Sequence, residues 1–422
     1  MSVGILDIDF ATQDGRALLA ALEHEQGPAI AGATARMERL FLLRSPHAPG
    51  LRFAGGLTSQ GEASTGDGAP SRLSSSGTGA TVMAALASCI GETVERLSQV
   101  ERPGDVLRTA TLRDVARHVP GAVVQRIRQL AASDDTCAAW TRARDAHTDA
   151  DALVPADWCL RRSTRGALAI PGHALSTGVA AGVTMQSAEL RAVLELVERD
   201  AASLWWTGGR RGGQPPLEST ASRATVQLLG ELRQESRDRR SWLLDLTTDL
   251  GIPVYAALST GRDGRGLACG LAARLDGDGA ARAAIFEMCQ MEVGLLVAEA
   301  KAKLAADTGT MSDSDAALIA RARGLEVAAC TLLHPRGPGS DATLPAGPTD
   351  ADRRAALLGR LAECGVDVYL VDLTRADLGI PVAAAIAPQL QPMPGDMITD
   401  RLARVLAETG GGMVHTHGHA LL

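Results

Sequence analysis

The chain has 422 residues, 45% of them hydrophobic and 22% charged, with a formal charge of −7 at pH 7. That is ample for a packed core, and it excludes a disordered polymer and the broad basic footprint of a nucleic-acid or acidic-membrane binder. The seven cysteines are singly spaced, with no C-x-x-C, so neither a zinc ribbon nor a disulfide scaffold is expected and a reducing cytoplasm is. No basic, apolar signal start and no membrane-length apolar run is present.

In chain order, a helix is expected near Gly15–Glu25, then two strands, Leu40–Ser45 and Leu51–Phe53, joined by a turn. Residues 55–80 are so rich in Gly, Ser and Thr that they read as a linker or surface loop. Their last part, Ser74 to Gly79, runs straight into the apolar helix 81–100, where amides and hydroxyls ahead of a helix suit an anion. Residues 101–150 read as an accessory helical layer broken at Pro103 and Pro120, with segments Arg108–His118 and Ala122–Ala132. Leu168–Ile170 is a short apolar piece, and Ser176–Gly182 a loop leading into a second helix, 184–203.

Beyond it, Trp205 and Trp206 read as core anchors and residues 207–215 as a flexible basic loop, with Arg210 and Arg211 able to grip an anion. Helices are expected at Arg223–Ser236, Gly279–Ala302, Asp313–Arg323, Asp350–Cys364 (with Asp350 as N-cap) and Arg401–Thr409. Strands are expected at Ile252–Leu258, Gly266–Leu275, Glu326–Leu333, Val366–Leu373 and Val382–Ile386. The first two, joined by a turn-like GRDGRG, form an antiparallel pair, so the expected class is α+β. His415, His417 and His419 near the end read either as a mobile tail or as one side of a metal-binding strand.

The two helices at 81–100 and 184–203 share a pentad, E-x-x-E-R: Glu92, Glu95, Arg96 and Glu195, Glu198, Arg199. On a helix these three side chains share a face. One such pentad is an ordinary surface pair worth about 0.3–0.5 kcal/mol. Two pentads on helices with apolar neighbouring faces are another matter, because clustered buried acids repel unless cations neutralise them. Magnesium takes carboxylate and phosphate oxygens, and arginine meets phosphate or orients the acids. A weaker third copy has Glu287 and Gln290 at the same i, i+3 spacing. No Walker A sequence and no kinase signature set is present. Cys89 and Cys289, inside two of these helices, read as small core residues rather than nucleophiles.

Ser88-x-x-x-Glu92-x-x-Glu95-Arg96 after a Ser-rich S-G-x-G resembles the first signature of the YcaO family. STGVAAGVT (176–184) with LELVERDA (194–201) and Trp205-Trp206 resembles the second. GIPVYA (251–256), a strand with Gly270, and Glu287-x-x-Gln290 resemble the third. The resemblance implies a mixed fold with antiparallel strands and long helices that bind ATP and Mg²⁺. It divides the chain into an extension, 1–68, a YcaO-like domain, 69–398, and a C-terminal helix and tail, 399–422. It implies an ATP-dependent enzyme in which a nucleophile adds to a peptide-backbone amide and ATP phosphorylates the resulting oxyanion. Cys, Ser or Thr as nucleophile gives a thiazoline or oxazoline, sulfide a thioamide, and an internal amine an amidine.

By the same resemblance, Ser88, Glu92, Glu95, Arg96, Glu195, Glu198, Arg199, Glu287, Gln290 and the stretch Gly77-Thr78-Gly79 build the nucleotide site, with Glu92, Glu95, Glu195, Glu198 and Glu287 as metal ligands. Several positions depart from the family pattern: Thr78 where Lys is common, with Arg72 as a candidate substitute, Thr177 and Val183 where Asn is usual, Ser187 in place of an acid, and Ala283 in place of Arg. The first reading is an azoline-forming cyclodehydratase, with thioamide or amidine formation next; Thr78, Thr177, Val183 and Ser187 lean toward a degenerate, noncatalytic scaffold, and the intact pentads argue against it. The implied partners are a ribosomally made precursor peptide, a separate leader-binding protein resembling a ubiquitin-activating enzyme or a TfuA-like protein, a flavin-dependent azoline oxidase and a second copy in a homodimeric core. The weakly patterned start leaves little room for a fused leader-binding module, and the ending GHALL, in place of a Pro-rich tail, weighs against a terminal carboxylate acting as base.

Overall fold

A computed structural model describes residues 5–59, 72–130, 133–162, 175, 177–216, 220–308, 311–393 and 397–421. The order opens β1 (Ile5–Asp7), α1 (Gln13–Gln26), α2 (Ala29–Thr34), β2 (Met37–Arg44), β3 (Arg52–Ser59), β4 (Arg72–Gly79) and α3 (Val82–Ser98). It continues β5 (Arg108–Thr111), α4 (Leu112–Val115), α5 (Gly121–Leu130), β6 (Cys137–Asp145), β7 (Asp151–Pro155), β8 (Val179–Ala181) and α6 (Met185–Trp206). Then come α7 (Thr220–Arg233), β9 (Arg239–Asp245), β10 (Val254–Gly261), β11 (Ala268–Ala273), α8 (Gly277–Thr308) and α9 (Asp313–Gly324). The chain closes with α10 (Asp350–Glu363), β12 (Tyr369–Asp372), β13 (Val382–Ile386), α11 (Asp400–Thr409) and α12 (Met413–Thr416).

The strands form three sheets, ordered β1-β2-β3-β4, β5-β6-β12-β13-β8 with β7 beside β6, and β11-β10-β9. All pairings between named strands are antiparallel, as the α+β expectation requires. Three edge strands, β4, β8 and β11, each feed the next long helix, α3, α6 or α8. The helix starts are capped alike. Thr81 and Thr184 accept the N–H groups of Ala84 and Ser187, and Asp276 Oδ1 accepts that of Gly279 at 2.7 Å.

Residues 55–59 and 72–79 of the Gly/Ser-rich stretch are strand where a linker was expected, and 60–71 lie outside the described residues. In β4, Arg72–Gly79 pairs along its whole length with β3. Its composition answers to packing. A Cβ on Gly77 would lie 2.2 Å from the Cys89 amide nitrogen, and one on Gly79 2.6 Å from the Ala84 side chain. Ser75 Oγ meets Thr93 Oγ1 of α3 at 2.6 Å. Small residues let α3 lie directly on the strand, and burial outweighs weak strand propensity. Because β3 and β4 pair, the residues on either side of the expected 68/69 boundary share one sheet. Gly270 repeats the close approach in β11, where a Cβ would stand 2.1 Å from the Met288 nitrogen and 2.3 Å from the Ala284 oxygen of α8.

Other expectations are corrected. The supposed helical layer 101–150 contains strands β5 and β6, and Trp140, fully buried, anchors β6. The loop at Ser176–Gly182 includes strand β8, held by β13. Residues 326–333 make turns and a single 3₁₀ turn, Thr331–Leu333, because Cys330 and Leu333 bond backward within the segment rather than across a sheet. The cap of α10 is Thr349, boxed with Asp352, and Asp350 is its first helical residue. Strand β9 was not expected at all: its RRSWLLD carries too many charges for an alternating pattern.

The basic loop 207–215 is anchored. Arg210 donates to the Leu246 and Thr247 carbonyls, Arg211 to that of His334, and Gly213 pairs with Asp245. The histidine tail is neither mobile nor a strand. His415 bonds Thr331, the His419 carbonyl accepts from Trp206 Nε1 at 2.7 Å, and Leu421 is buried. Trp205 and Trp206 are core residues, packed edge to face at 5.3 Å. Leu168–Ile170 lies outside the described residues. No helix among the described residues is long and apolar enough to cross a membrane.

The packing yields a prediction. Gly270→Val has no room to relax against helix backbone, so it lowers stability by about 3 kcal/mol or more, beyond the usual range for overpacking. The urea midpoint of purified protein measures this. A midpoint within error of the parent contradicts the close approach.

Candidate active site

The first acids of the three helices occupy one position. Glu92, Glu195 and Glu287 each stand eleven residues after the cap (81 to 92, 184 to 195, 276 to 287). Each reaches back to the edge strand that feeds its own helix. Glu92 accepts the Ser76 N–H at 2.7 Å, Glu195 that of Gly178, just ahead of β8, at 3.1 Å, and Glu287 that of Leu271 at 2.9 Å.

The residues one turn further on reach the next unit. Glu95 of α3 accepts the Ala181 N–H of β8 at 2.7 Å. Glu198 of α6 accepts the Ala273 N–H of β11 at 3.3 Å. Gln290 of α8 closes the circle on β4, donating to Ser76 Oγ at 2.9 Å and accepting from Thr78 Oγ1 at 3.1 Å. The arrangement is cyclic, first helix to second strand, second to third, third to first. It brings together acids as distant in sequence as Glu92 and Glu287.

They line a cleft of about 970 Å³ that also exposes Ser88, Ser187, Arg191, Arg274 and Arg353. Of the expected site residues, Ser88, Glu92, Glu95, Glu195, Glu198, Glu287 and Gln290 face this cleft. Arg96 and Arg199 sit among the acids. Arg96 holds Glu92 through Nε at 3.0 Å and Nη2 at 2.6 Å, and Arg199 lies 3.4 Å from Glu195 and 3.7 Å from Glu198. Gly77, Thr78 and Gly79 belong to β4, where Thr78 reaches the site through Gln290 and the glycines seat α3. Arg72 pairs with Glu38 at 3.1 Å, 68% exposed, and does not line the cleft.

The cationic lining comes from elsewhere. Arg191 was legible as one turn before Glu195 on the same helix face. Arg274, after β11, and Arg353, on α10, carried no such signal. Arg282 beside Ala283 is exposed and outside the cleft lining.

Electrostatics set these acids apart from a surface pair. Burial pushes Glu95 up to about 8, with the charges of Glu195 and Glu92 adding to it. Burial lifts Glu195 to about 7 against the pull of Arg199, and Glu287 to about 8 with help from Glu198. Glu198 is raised by burial too. Burial works against the Arg199 charge, yet the carboxylates of Glu198, Glu195 and Glu287 raise its pKa overall. Its Nη1 is nonetheless buried with no hydrogen-bond partner among the described residues. Cys89 and Cys289 are pushed up to about 12 by burial and are inert core thiols.

Among the described residues no three His, Cys, Asp or Glu side chains already stand together as a metal cluster. The acids are instead spread round the cleft, each with one oxygen on a backbone N–H. That suits a hard cation taking one or two carboxylates plus phosphate oxygens. The orphaned Arg199 N–H suits the anion that would accompany it. The donor set therefore fits Mg²⁺ and a polyphosphate, and the cleft defines a nucleotide-dependent enzyme.

The comparisons agree. The sequence model of the YcaO family, described as YcaO cyclodehydratase, ATP- and Mg²⁺-binding, matches residues 76–391. The chain belongs to the YcaO family, and with membership come its cofactors, ATP and Mg²⁺, and its class, ATP-dependent enzymes. An uncharacterized protein of Methanothermobacter thermautotrophicus is 28% identical over 331 residues, 75% of this chain and 81% of that one. A heterocyclase solved with substrate and cofactor aligns at a TM-score of 0.73 and 23% identity over 93% of this chain, which spans 55% of the heterocyclase. The YcaO protein of Methanopyrus kandleri, solved with AMPPCP and Mg²⁺, aligns at 0.60 and 18% identity, over 91% of this chain and 94% of that one. At these identities the solved structures show a shared fold.

The raised carboxyls give a pH dependence. From about 4.5 up to 7 to 8 the native state keeps protons on Glu95, Glu195 and Glu287 that the unfolded chain has released, so the contribution of these three carboxyls to stability is fully present below that range and is lost as pH rises to 7 to 8. Thermal unfolding from about pH 6 to about pH 9 shows the unliganded midpoint dropping, and Mg²⁺ with a nucleotide flattens that slope. A midpoint that climbs across this range in the unliganded protein contradicts the assignment.

Proposed function

We propose that the chain is a cyclodehydratase that converts Cys, Ser or Thr of a ribosomally made precursor peptide into thiazoline or oxazoline. The observation that carries this reading is the closed ring of half-buried glutamates, with arginines among them, in a chain of the YcaO family. The likeness of its fold to heterocyclases, TruD among them, supports azoline formation over the family's other products. Bound ATP with Mg²⁺ supplies the phosphoryl group that turns the amide oxygen into a leaving group.

The chain's own residues hold and orient. Glu95, Glu195, Glu198 and Glu287, with Glu92 beside them, present the oxygens that hold Mg²⁺. Each keeps one oxygen on a strand N–H, which fixes its direction before any ligand arrives. Arg96 and Arg199 compensate the acids and set their rotamers, and Arg199 keeps a donor for a phosphate oxygen. Ser88, Gln290 and the β4 stretch Gly77-Thr78-Gly79 complete the nucleotide side, with Gln290 tying α8 to β4. Arg191, Arg274 and Arg353 add positive potential over the cleft for the anionic phosphates.

The departures at Thr78, Thr177 and Ser187 are absorbed by the fold: Thr78 bonds Gln290, Thr177 Oγ1 bonds the Met393 carbonyl, and the Ser187 N–H joins the α6 cap. A precursor peptide and a separate leader-binding protein are the partners this reading requires, since a site built for phosphate carries no evident peptide selectivity. A microcin synthetase of E. coli, McbBCD, which shares the fold at 13% identity, is a complex and has also been solved with pro-MccB17 bound.

Co-expression with a candidate precursor, followed by mass spectrometry, tests the reaction. Loss of one water per modified Cys, Ser or Thr is expected. Exchange of oxygen for sulfur would replace this reading with thioamide formation, and an unchanged peptide together with no nucleotide binding would make the chain a noncatalytic scaffold. Glu198→Gln is expected to lower ATP turnover by more than about 100-fold, and Arg199→Gln, which loses the acids' counter-charge and that phosphate donor, by about 10- to 100-fold. Turnover of Glu198→Gln equal to the parent would remove the ring from the mechanism.

A further inference from the structure

Helix α8 carries a second polar cluster on the side away from the cleft. Glu287 and Gln290 face the cleft, whereas Glu292, Leu295, Leu296 and Glu299 line a different cavity from the opposite face of the helix. Glu292 is fully buried. Arg233 of α7 grips both of its oxygens, each at 2.6 Å, and Arg239 of β9 reaches one of them at 3.1 Å. Ser259 of β10 donates to it as well. Two guanidiniums thus share one carboxylate. Burial, with Arg239 nearby, pushes His47 below its ordinary value and keeps it neutral. The buried cluster is left with one positive charge in excess.

That excess falls on Arg239. Burial works against the Arg233 charge, yet its bonds to Glu292 raise it overall. Burial lowers Arg239 against the pull of Glu292, and the Arg233 charge lowers it further. The Arg239 side chain is only 7% exposed. Its Nε and Nη2 are spent on Ser259 and on the Gly266 carbonyl. Its Nη1 has no hydrogen-bond partner among the described residues, and a Cβ on Gly266 would stand 3.7 Å from it. Arg233 Nε and His47 Nδ1 are likewise buried without a hydrogen-bond partner among the described residues, with Asp238 3.8 Å from His47.

A cavity of about 440 Å³ opens onto this cluster, lined by His47, Arg239, Gly266 and Glu292. Its rim is charged but balanced: Arg265 stands with Asp263, and Arg323 lies 3.9 Å from Glu299. The surplus charge therefore sits on the floor, where Arg239 is buried and short of an acceptor. A buried charged donor left unmet is costly. Water would meet the donor but not the charge, whereas an oxyanion answers both.

We propose that this cavity binds a small oxyanion, a phosphate or a carboxylate, with Arg239 Nη1 as its buried anchor and His47 beside it. The site is separate from the cleft, on the other face of α8 and further along its axis, so its ligand is an effector rather than a reactant. One helix carries both linings, and the anion therefore bears on the element that places Glu287 and Gln290. Binding here needs neither a peptide nor turnover, so it is independent of the reaction proposed above.

Calorimetry tests this on whole protein already filled with Mg²⁺ and a non-hydrolysable ATP analogue, so that the cleft is occupied. Inorganic phosphate and, separately, succinate are titrated in. At least one binds, with one anion per chain; tighter phosphate marks a phosphate ligand and tighter succinate a carboxylate. Arg239→Gln weakens that binding by about tenfold or more. Arg265→Glu, at an exposed rim position outside the buried cluster, weakens it about threefold by repulsion and leaves the unfolding midpoint unmoved. Selenate soaked into crystals of the same complex gives an anomalous peak within hydrogen-bond reach of Arg239 Nη1. Should Arg239→Gln fail to fold, Arg265→Glu and the selenate peak decide. No binding of either anion, binding that the folded variants keep at the parent's affinity, or selenate found only in the cleft or on the outer surface overturns the proposal.

Discussion

Five backbone N–H groups, on or at the end of three edge strands, each find a glutamate: Ser76, Gly178, Ala181, Leu271 and Ala273. An edge strand turned into a protein interior carries donors that must be satisfied. Here carboxylates satisfy them, and in doing so are themselves drawn into a poorly solvated cleft. The solution is costly for a bare protein, because burial and mutual repulsion raise Glu95, Glu195 and Glu287 toward neutrality. A cation removes that cost. The same bonds that hold three sheets together thus leave an apo site short of positive charge.

The arginines make the balance partial rather than complete. Arg96 neutralises Glu92, for which the first helix needs nothing more. Arg199 serves Glu195 and Glu198 together, and α8 has no counterpart, since Met291 stands where the pentad would place one. The third unit differs also at its second residue, Gln290, which is neutral and bonds hydroxyls of β4 instead of a strand N–H. Charge is therefore concentrated around α6, next to Arg191 and Arg274, and it is there that the cleft is best suited to a cation and a phosphate together.

Much of this was legible in the residues. The pentads and the weaker Glu287-x-x-Gln290 named the acids because i, i+3 spacing fixes a common helix face whatever the tertiary fold. The antiparallel pair β10 and β11 followed from apolar runs around a Gly-rich turn. What was missed shares a cause: tertiary burial overrode local composition. Ser74 to Gly79 looks like a linker because the helix that needs its small side chains is invisible in composition. Strand β9 looks polar because Arg239 pairs with buried Glu292 and Ser241 accepts from Arg233, contacts that come from distant segments. Arg274 and Arg353 enter the cleft from elements with no motif of their own. The cyclic closure of the three units lay in the common interval from cap to acid, a signal spread over two hundred residues.

The central claim is that the ring of glutamates holds the metal and the nucleotide phosphates. Crystals soaked with Mn²⁺ and a non-hydrolysable ATP analogue test it directly, through anomalous scattering. The account predicts metal density in the cleft between α3, α6 and α8, coordinated by oxygens from among Glu95, Glu195, Glu198 and Glu287 and by phosphate. Metal and analogue bound elsewhere, with these four carboxylates still only on their strand N–H groups, would contradict it.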